Sequence, residues 1–204
     1  HWLGGMGILV LTIALLPSLG ARTLHVMKAE SPGPIISKLV PKSSQSSKIL
    51  YGIYLVLTVL VILALRAAGM DWFDSVTHAF ATAGTGGFST RNLSVGAYQS
   101  PGVEIVLGIA MLLFSVNFAL YFLILCGKWR QALKSDELRF FASVVGGSVL
   151  LIACNIQSMY GSFLTSLRHA FFQVSSIIST TGFSSVDFDL WPEFSRALLV
   201  ILMF

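Results

Sequence analysis

Two short stretches of this chain could hold a cation with backbone oxygens alone. Thr85-Gly86-Gly87-Phe88 lies within "TAGTGGFST" at 82–90, and Thr180-Thr181-Gly182-Phe183 within "IISTTGFSS" at 177–185. Both read T-x-G-F. A glycine lets the backbone enter φ regions closed to other residues and lets other groups approach closely. A loop whose carbonyls face a common axis can replace an ion's hydration shell, as the four TVGYG loops of potassium channels do. Against that template both stretches carry the third-position glycine and a fourth-position aromatic, while the fifth residue is Ser89 or Ser184 rather than glycine. The expected ligands are therefore the carbonyls of Thr85, Gly86, Gly87, Phe88, Thr180, Thr181, Gly182 and Phe183, with potassium as the ion. A helix ending at each loop would aim its partially negative C-terminus at that axis. One copy could arise by chance as a glycine turn that caps a helix. Two copies in equivalent places call for a shared role.

The elements that must hold these loops are apolar. Of the 204 residues, 55% are hydrophobic and 11% charged, against about 25% charged in soluble domains. Mean hydropathy is +0.81. Four runs lack formal charge: Trp2–Ala21, Ile49–Leu65, Ile105–Gly127 and Phe140–Leu167. Each approaches or exceeds the roughly 18–20 residues that cross a bilayer as a helix. The sequence predicts an all-α integral membrane protein whose first partner is the lipid bilayer. Its beginning at His1 without methionine and its stop at Phe204 within an apolar run suggest a piece of a longer protein.

The net charge of +4 is a topology signal and not a nucleic-acid surface. Nine of the thirteen basic residues fall in two loops: Arg22, Lys28, Lys38, Lys42 and Lys48, then Lys128, Arg130, Lys134 and Arg139. Six of the nine acids (Asp71, Asp74, Glu104, Asp187, Asp189, Glu193) fall in the other connections. The positive-inside rule places both basic loops in the cytoplasm. The first helix then runs inward and ends near Lys28, and "ESPGP" breaks the loop after it. The span Ile49–Arg66 runs outward, Val103–Gly127 inward and Phe140–Tyr160 outward again.

Residues 67–102 thus begin and end outside, yet Ser75–Thr90 carries no formal charge. A segment of that length is expected to dip into the membrane as a re-entrant half-helix and return as extended chain. Irregular backbone at that depth must be buried in protein or line a watery cavity. Ser162–Val186 repeats the arrangement, and the glycines Gly87 and Gly182 are 95 residues apart. Asn117, in the middle of a span, has two uses open to it, lining a cavity or bonding a neighbouring helix. Asn155 and Gln157 fall near the outer end of theirs. Gly4, Gly5, Gly7, Gly146 and Gly147 are expected to permit close helix packing, and Cys126 and Cys154 to be reduced packing residues. His78 and His169 read as helix-start residues near the interface, and Arg66 as a side chain reaching for the interface.

The stretches "WLGGMGILVL", "MKAESPGP", "AGMDWFDSVTHAFATAGTGGFST", "SVNFALYF" and "HAFFQVSSIISTTGFSSVDFDLWPEF" resemble, in this order, the TrkH-type potassium uptake proteins of the Trk/Ktr/HKT superfamily. The resemblance implies four M1–P-loop–M2 repeats around one pore. Residues 1–28 would be the last helix of one repeat, 29–48 a cytoplasmic loop and 49–127 a whole repeat. Residues 128–139 would be a second cytoplasmic loop, and 140–204 the next repeat as far as the start of its M2. Filter loops one and four and a glycine-rich gating loop would then lie outside the chain. It further implies a bacterial inner-membrane, multi-pass location, a homodimer, and a cytosolic nucleotide-binding RCK-type regulatory subunit. The ion is the only cofactor implied; no organic one is.

Two other classes compete. A sodium- or proton-coupled secondary transporter also uses discontinuous helices, but it is built from repeats that are commonly inverted, whereas these two units share one orientation. An intramembrane enzyme needs paired carboxylates, a Ser/His dyad or HExxH at membrane depth, and the sequence has none of them. No catalytic residue is expected.

Overall fold

A computed structural model describes residues 1–6 and 43–204. The expected inward course of the first helix as far as Arg22 and Lys28, the break at "ESPGP", Lys38, Lys42 and Gly7 lie outside the described residues. The regular elements among those described are all helical, with no strand. Helix α1 spans Ser43–Ala67, α2 Trp72–Ala83, α3 Pro101–Ser115 and α4 Phe118–Leu125. A short α5, Trp129–Leu133, leads to α6 at Asp136–Tyr160, α7 at Phe163–Ile178 and α8 at Glu193–Ile201.

The order is the same twice: a long outer helix, a short helix, an extended loop, a single 3-10 turn and an outgoing helix. The long members, Ser47–Ala67 and Asp136–Tyr160, are apolar and long enough to cross a membrane. Their outward faces carry exposed Leu55, Val56 and Leu60 on α1 and Leu150 and Leu151 on α6, the pattern of helices solvated by lipid. By contrast, α2 has 12 residues and α7 has 16. At about 1.5 Å per residue they reach roughly 18 and 24 Å, short of a hydrocarbon core of about 30 Å. They are half-helices.

Local chemistry sets these boundaries. Arg66 closes α1 by donating from Nη1 to the Met70 carbonyl at 3.1 Å, and its guanidinium lies 5.7 Å from the Trp72 ring. Gly69 turns the chain with φ +103°. Asp71 stands at the N-cap position of α2 without a side-chain cap bond, and Asp74 in the first turn suits the positive end of the helix dipole. Gly161, at φ +65°, ends α6.

The outgoing span departs from expectation. Instead of one helix from Val103 to Gly127, α3 stops at Ser115 and α4 starts at Phe118, bent by 90°. Val116 is extended, with ψ 142°. The Asn117 side chain accepts from the Ala119 amide at 3.0 Å, which starts a new helix. A capping side chain offers the backbone an alternative to continuing the ladder. Asn117 therefore acts here as an N-cap.

Two hydrophobic clusters sit behind the loops. The first gathers Tyr54, Leu65, Met70, Leu107 and Met111 together with Phe172 and Phe183. The second gathers Ile152, Ile156, Ala170, Val174, Trp191 and Leu199. Because the first draws on both units, they pack as one body through α3 against α7.

Several packing expectations change. Among the described residues, a Cβ on Gly4, Gly146 or Gly147 would meet nothing within 4 Å, so no close helix contact is seen at these glycines there. Gly5 does, with Tyr54 Oη at 2.5 Å, and so does Gly108, with Phe171 Cε1 at 2.5 Å. Cys126 and Cys154 are free but exposed, not packed inside. Asn155 is tied inward, its Oδ1 accepting from the buried Ser195 hydroxyl of α8 at 2.7 Å.

Candidate functional site

The two loops have closely matching backbones, the second adding a bond from Gly182 N–H to the Ser176 carbonyl at 3.3 Å. At the end of α2, Gly84 N–H donates to the Phe80 carbonyl, Thr85 to Thr82 and Gly86 to Ala81. At the end of α7, Ser179 donates to Ser175, Thr180 to Ile177 and Thr181 to Ser176. Each bond recurs 95 residues on. The left-handed positions recur too: Thr85 (φ 49°) and Gly87 (φ 63°), then Thr180 (φ 56°) and Gly182 (φ 88°). A non-glycine residue at positive φ is uncommon, so two threonines held there at matched positions mark a specified conformation. The eight expected ligand residues fall in two equivalent extended segments, strands that pair in no sheet among the described residues, each entered from the C-terminus of a short helix.

The strands touch. A Cβ on Gly87 would collide with the carbonyl oxygen of Thr181 and lie 3.1 Å from Gly182 C. Just beyond, Gly96 N–H donates to the Ser184 carbonyl at 3.1 Å, and Ser184 N–H donates to Ser94 Oγ at 3.3 Å. Only glycine admits that contact at position 87. Thr85, Phe88, Thr180 and Gly182 are exposed along this edge, while Thr181 is buried.

The aromatic positions are not equivalent. Phe183 is 1% exposed and lies in the first core cluster; Phe88 is 60% exposed and meets the His1 ring at 5.0 Å. The Phe183 carbonyl accepts from Ser176 Oγ at 2.6 Å and so is engaged by α7. Thr181 Oγ1 is 2.7 Å from Ser179 Oγ. Asn117 stands at the bend between α3 and α4, outside the two strands.

Buried polar clusters brace the short helices. On α2, Asp74 accepts from Tyr98 Oη at 2.5 Å and Thr90 Oγ1 at 2.7 Å, and pairs with Arg91 at 3.3 Å. Burial pushes its pKa up, but the bonds from Tyr98 and Thr90 and the Arg91 charge outweigh that and leave it below the usual carboxylate range. Between the units, Glu104 on α3 meets Arg168 Nε on α7 at 2.9 Å and His169 Nδ1 at 3.6 Å. The Arg168 approach is not aimed well enough to be a hydrogen bond, so that attraction is between charges, and the His169 contact is too long for one. His169 also packs on Tyr160, with ring centroids 4.8 Å apart.

The sequence matches the family model of TrkH, cation transport protein, over residues 1–204. The chain belongs to this family. It is 39% identical to the Trk system potassium uptake protein TrkH of Halomonas elongata and to that of Escherichia coli, in each case over the whole chain and 43% of the relative. It also resembles the crystal structure of the potassium transporter TrkH from Vibrio parahaemolyticus, with a TM-score of 0.79 and 32% identity over 98% of this chain and 41% of that one. The chain spans less than half the length of these relatives.

In this TrkH-family chain, the residues that sequence reasoning passed over stand behind the loops. His78 and His169 are not helix-start residues: both are buried well inside α2 and α7. The signal for His78 was available in the 95-residue period. It pairs His78 with Gln173 and Ser89 with Ser184, at the same spacing of eleven. Glu104 and Arg168 gave no such signal, since they belong to different units.

Proposed function

We propose that this chain contributes two of the filter loops of a potassium-uptake pore. The observation that carries the reading is the pair of adjoining strands with matched hydrogen bonds and matched left-handed residues, 95 positions apart. Their carbonyls replace water around a dehydrated potassium ion. The C-terminal ends of α2 and α7 add partial negative charge beside it. The relatives are named as potassium uptake proteins of the Trk system, in agreement with that ion. The role is transport and not catalysis.

The full pore comprises four such repeats, with this chain giving residues 49–127 and 140–204 as the second and part of the third. It lies in a bacterial inner membrane as a multi-pass protein, works as a homodimer, and takes a nucleotide-binding RCK-type subunit on its cytoplasmic face. Expressed in cells lacking their own potassium uptake, the intact transporter should restore growth at low potassium. Rubidium tracer uptake should resist a large excess of sodium. Equal competition by sodium would overturn the potassium assignment.

The orientation has its own test. With Cys126 and Cys154 removed, single cysteines at Lys42 and Lys134 should be shielded from an impermeant thiol reagent in intact cells, and cysteines at Asp71 and Asp189 should react. Labelling of position 134 from outside would reverse the topology.

A further inference from the structure

Behind each strand, one polar side chain on the half-helix reaches the serine that follows T-x-G-F. In the second unit it is His78. This ring is wholly buried, with Nδ1 2.8 Å from the Asp74 carbonyl and Nε2 2.9 Å from Ser89 Oγ. A carbonyl only accepts, so Nδ1 carries the proton and a neutral ring offers Nε2 as acceptor to the Ser89 hydroxyl. Ser89 Oγ in turn accepts from the Arg91 amide at 3.1 Å. The serine is therefore held from both sides.

In the third unit the matched residue is Gln173, wholly buried, whose Nε2 lies 3.5 Å from Ser184 Oγ and 3.3 Å from the Val186 carbonyl. His78 does one thing more. Its ring stacks on Phe183 of the other loop, with centroids 5.6 Å apart and planes at 20°, and meets Tyr98 edge-on at 5.5 Å. One side chain thus touches the exit of its own strand and the aromatic of the next.

We propose that His78 and Gln173 are equivalent positioning residues for ion discrimination, with His78 also setting the spacing between the two loops. Neither contacts the ion. Each ties the far end of its strand back to the half-helix, and so fixes where the preceding carbonyls can sit. The inference rests on the filter reading above.

The test is rubidium uptake with sodium competition in the intact transporter, normalised to its abundance in the membrane. His78→Ala should lower discrimination against sodium by roughly tenfold, the scale of losing about one hydrogen bond's worth of positioning. His78→Gln should recover most of it, because a glutamine already serves at the matched slot. Ser89→Ala removes only the hydroxyl and should lower discrimination by a few-fold, so it reports even where His78→Ala fails to accumulate. Gly87→Ser runs alongside as the filter control. Loss with Gly87→Ser but unchanged discrimination with His78→Ala and Ser89→Ala overturns this inference alone. Unchanged discrimination with Gly87→Ser removes the filter reading beneath it. A His78→Gln as impaired as His78→Ala overturns the equivalence of the two slots.

Discussion

Serine in place of Gly87 should abolish most of the discrimination between potassium and sodium in the intact transporter, whereas serine at Gly147 should leave it unchanged. Position 87 has φ +63°, which costs a side chain about 1–2 kcal/mol by itself. The added Cβ would also collide with the Thr181 carbonyl oxygen, one of the proposed ligands. That overlap can be relieved only by moving one strand or the other. A shift worth even about 1.4 kcal/mol between the two ions is tenfold in selectivity, and tenfold or more is expected. Gly182→Ser should do less: its φ of +88° is strained for serine, but among the described residues its Cβ would meet nothing within 4 Å. Gly147 lies on α6 with the same open surroundings and no positive φ. Sodium competition against rubidium uptake ranks the three. Equal effects at 87 and 147 would show that the contact between the strands is irrelevant to selectivity.

The largest loss of stability is expected from Glu104→Ala. Glu104 is 5% exposed, and its partner Arg168 retains 25% side-chain exposure. Removing one member of a buried pair strands the other charge, at about 3–5 kcal/mol. Water at the partly exposed Arg168 should moderate this to about 2–3 kcal/mol. For a helical body of this size that means a fall of several degrees in the unfolding temperature of the detergent-solubilised transporter. Replacing both residues with leucine should recover much of the loss, since no unpaired charge then remains. An unfolding temperature within a degree of the parent for Glu104→Ala would show that the pair contributes nothing between the units.

Some of this was written in the chain itself. The apolar runs specify which segments are long helices, because a backbone in lipid must satisfy its own hydrogen bonds and 18 or more apolar residues do so as helix. The T-x-G-F stretches specify the strand conformation for a similarly local reason. A short run of φ values and helix-end hydrogen bonds is set by the residues that carry them, so Thr85–Phe88 and Thr180–Phe183 fold alike. The bend at Asn117 was also local, an N-cap residue after Ser115 and Val116 inside an apolar run, although apolarity alone read straight through it.

What no local pattern carried is whatever joins the units. Phe88 and Phe183 occupy one sequence slot, yet one is exposed and the other is buried against His78, because burial depends on what the neighbouring unit presents there. Glu104 and Arg168 are 64 residues apart and meet only because α3 packs on α7. The need for glycine at 87 in particular follows from a carbonyl 94 residues away. Periodicity encodes a residue's own element and face. Which atoms lie across an interface is decided by packing, and that requires the folded chain.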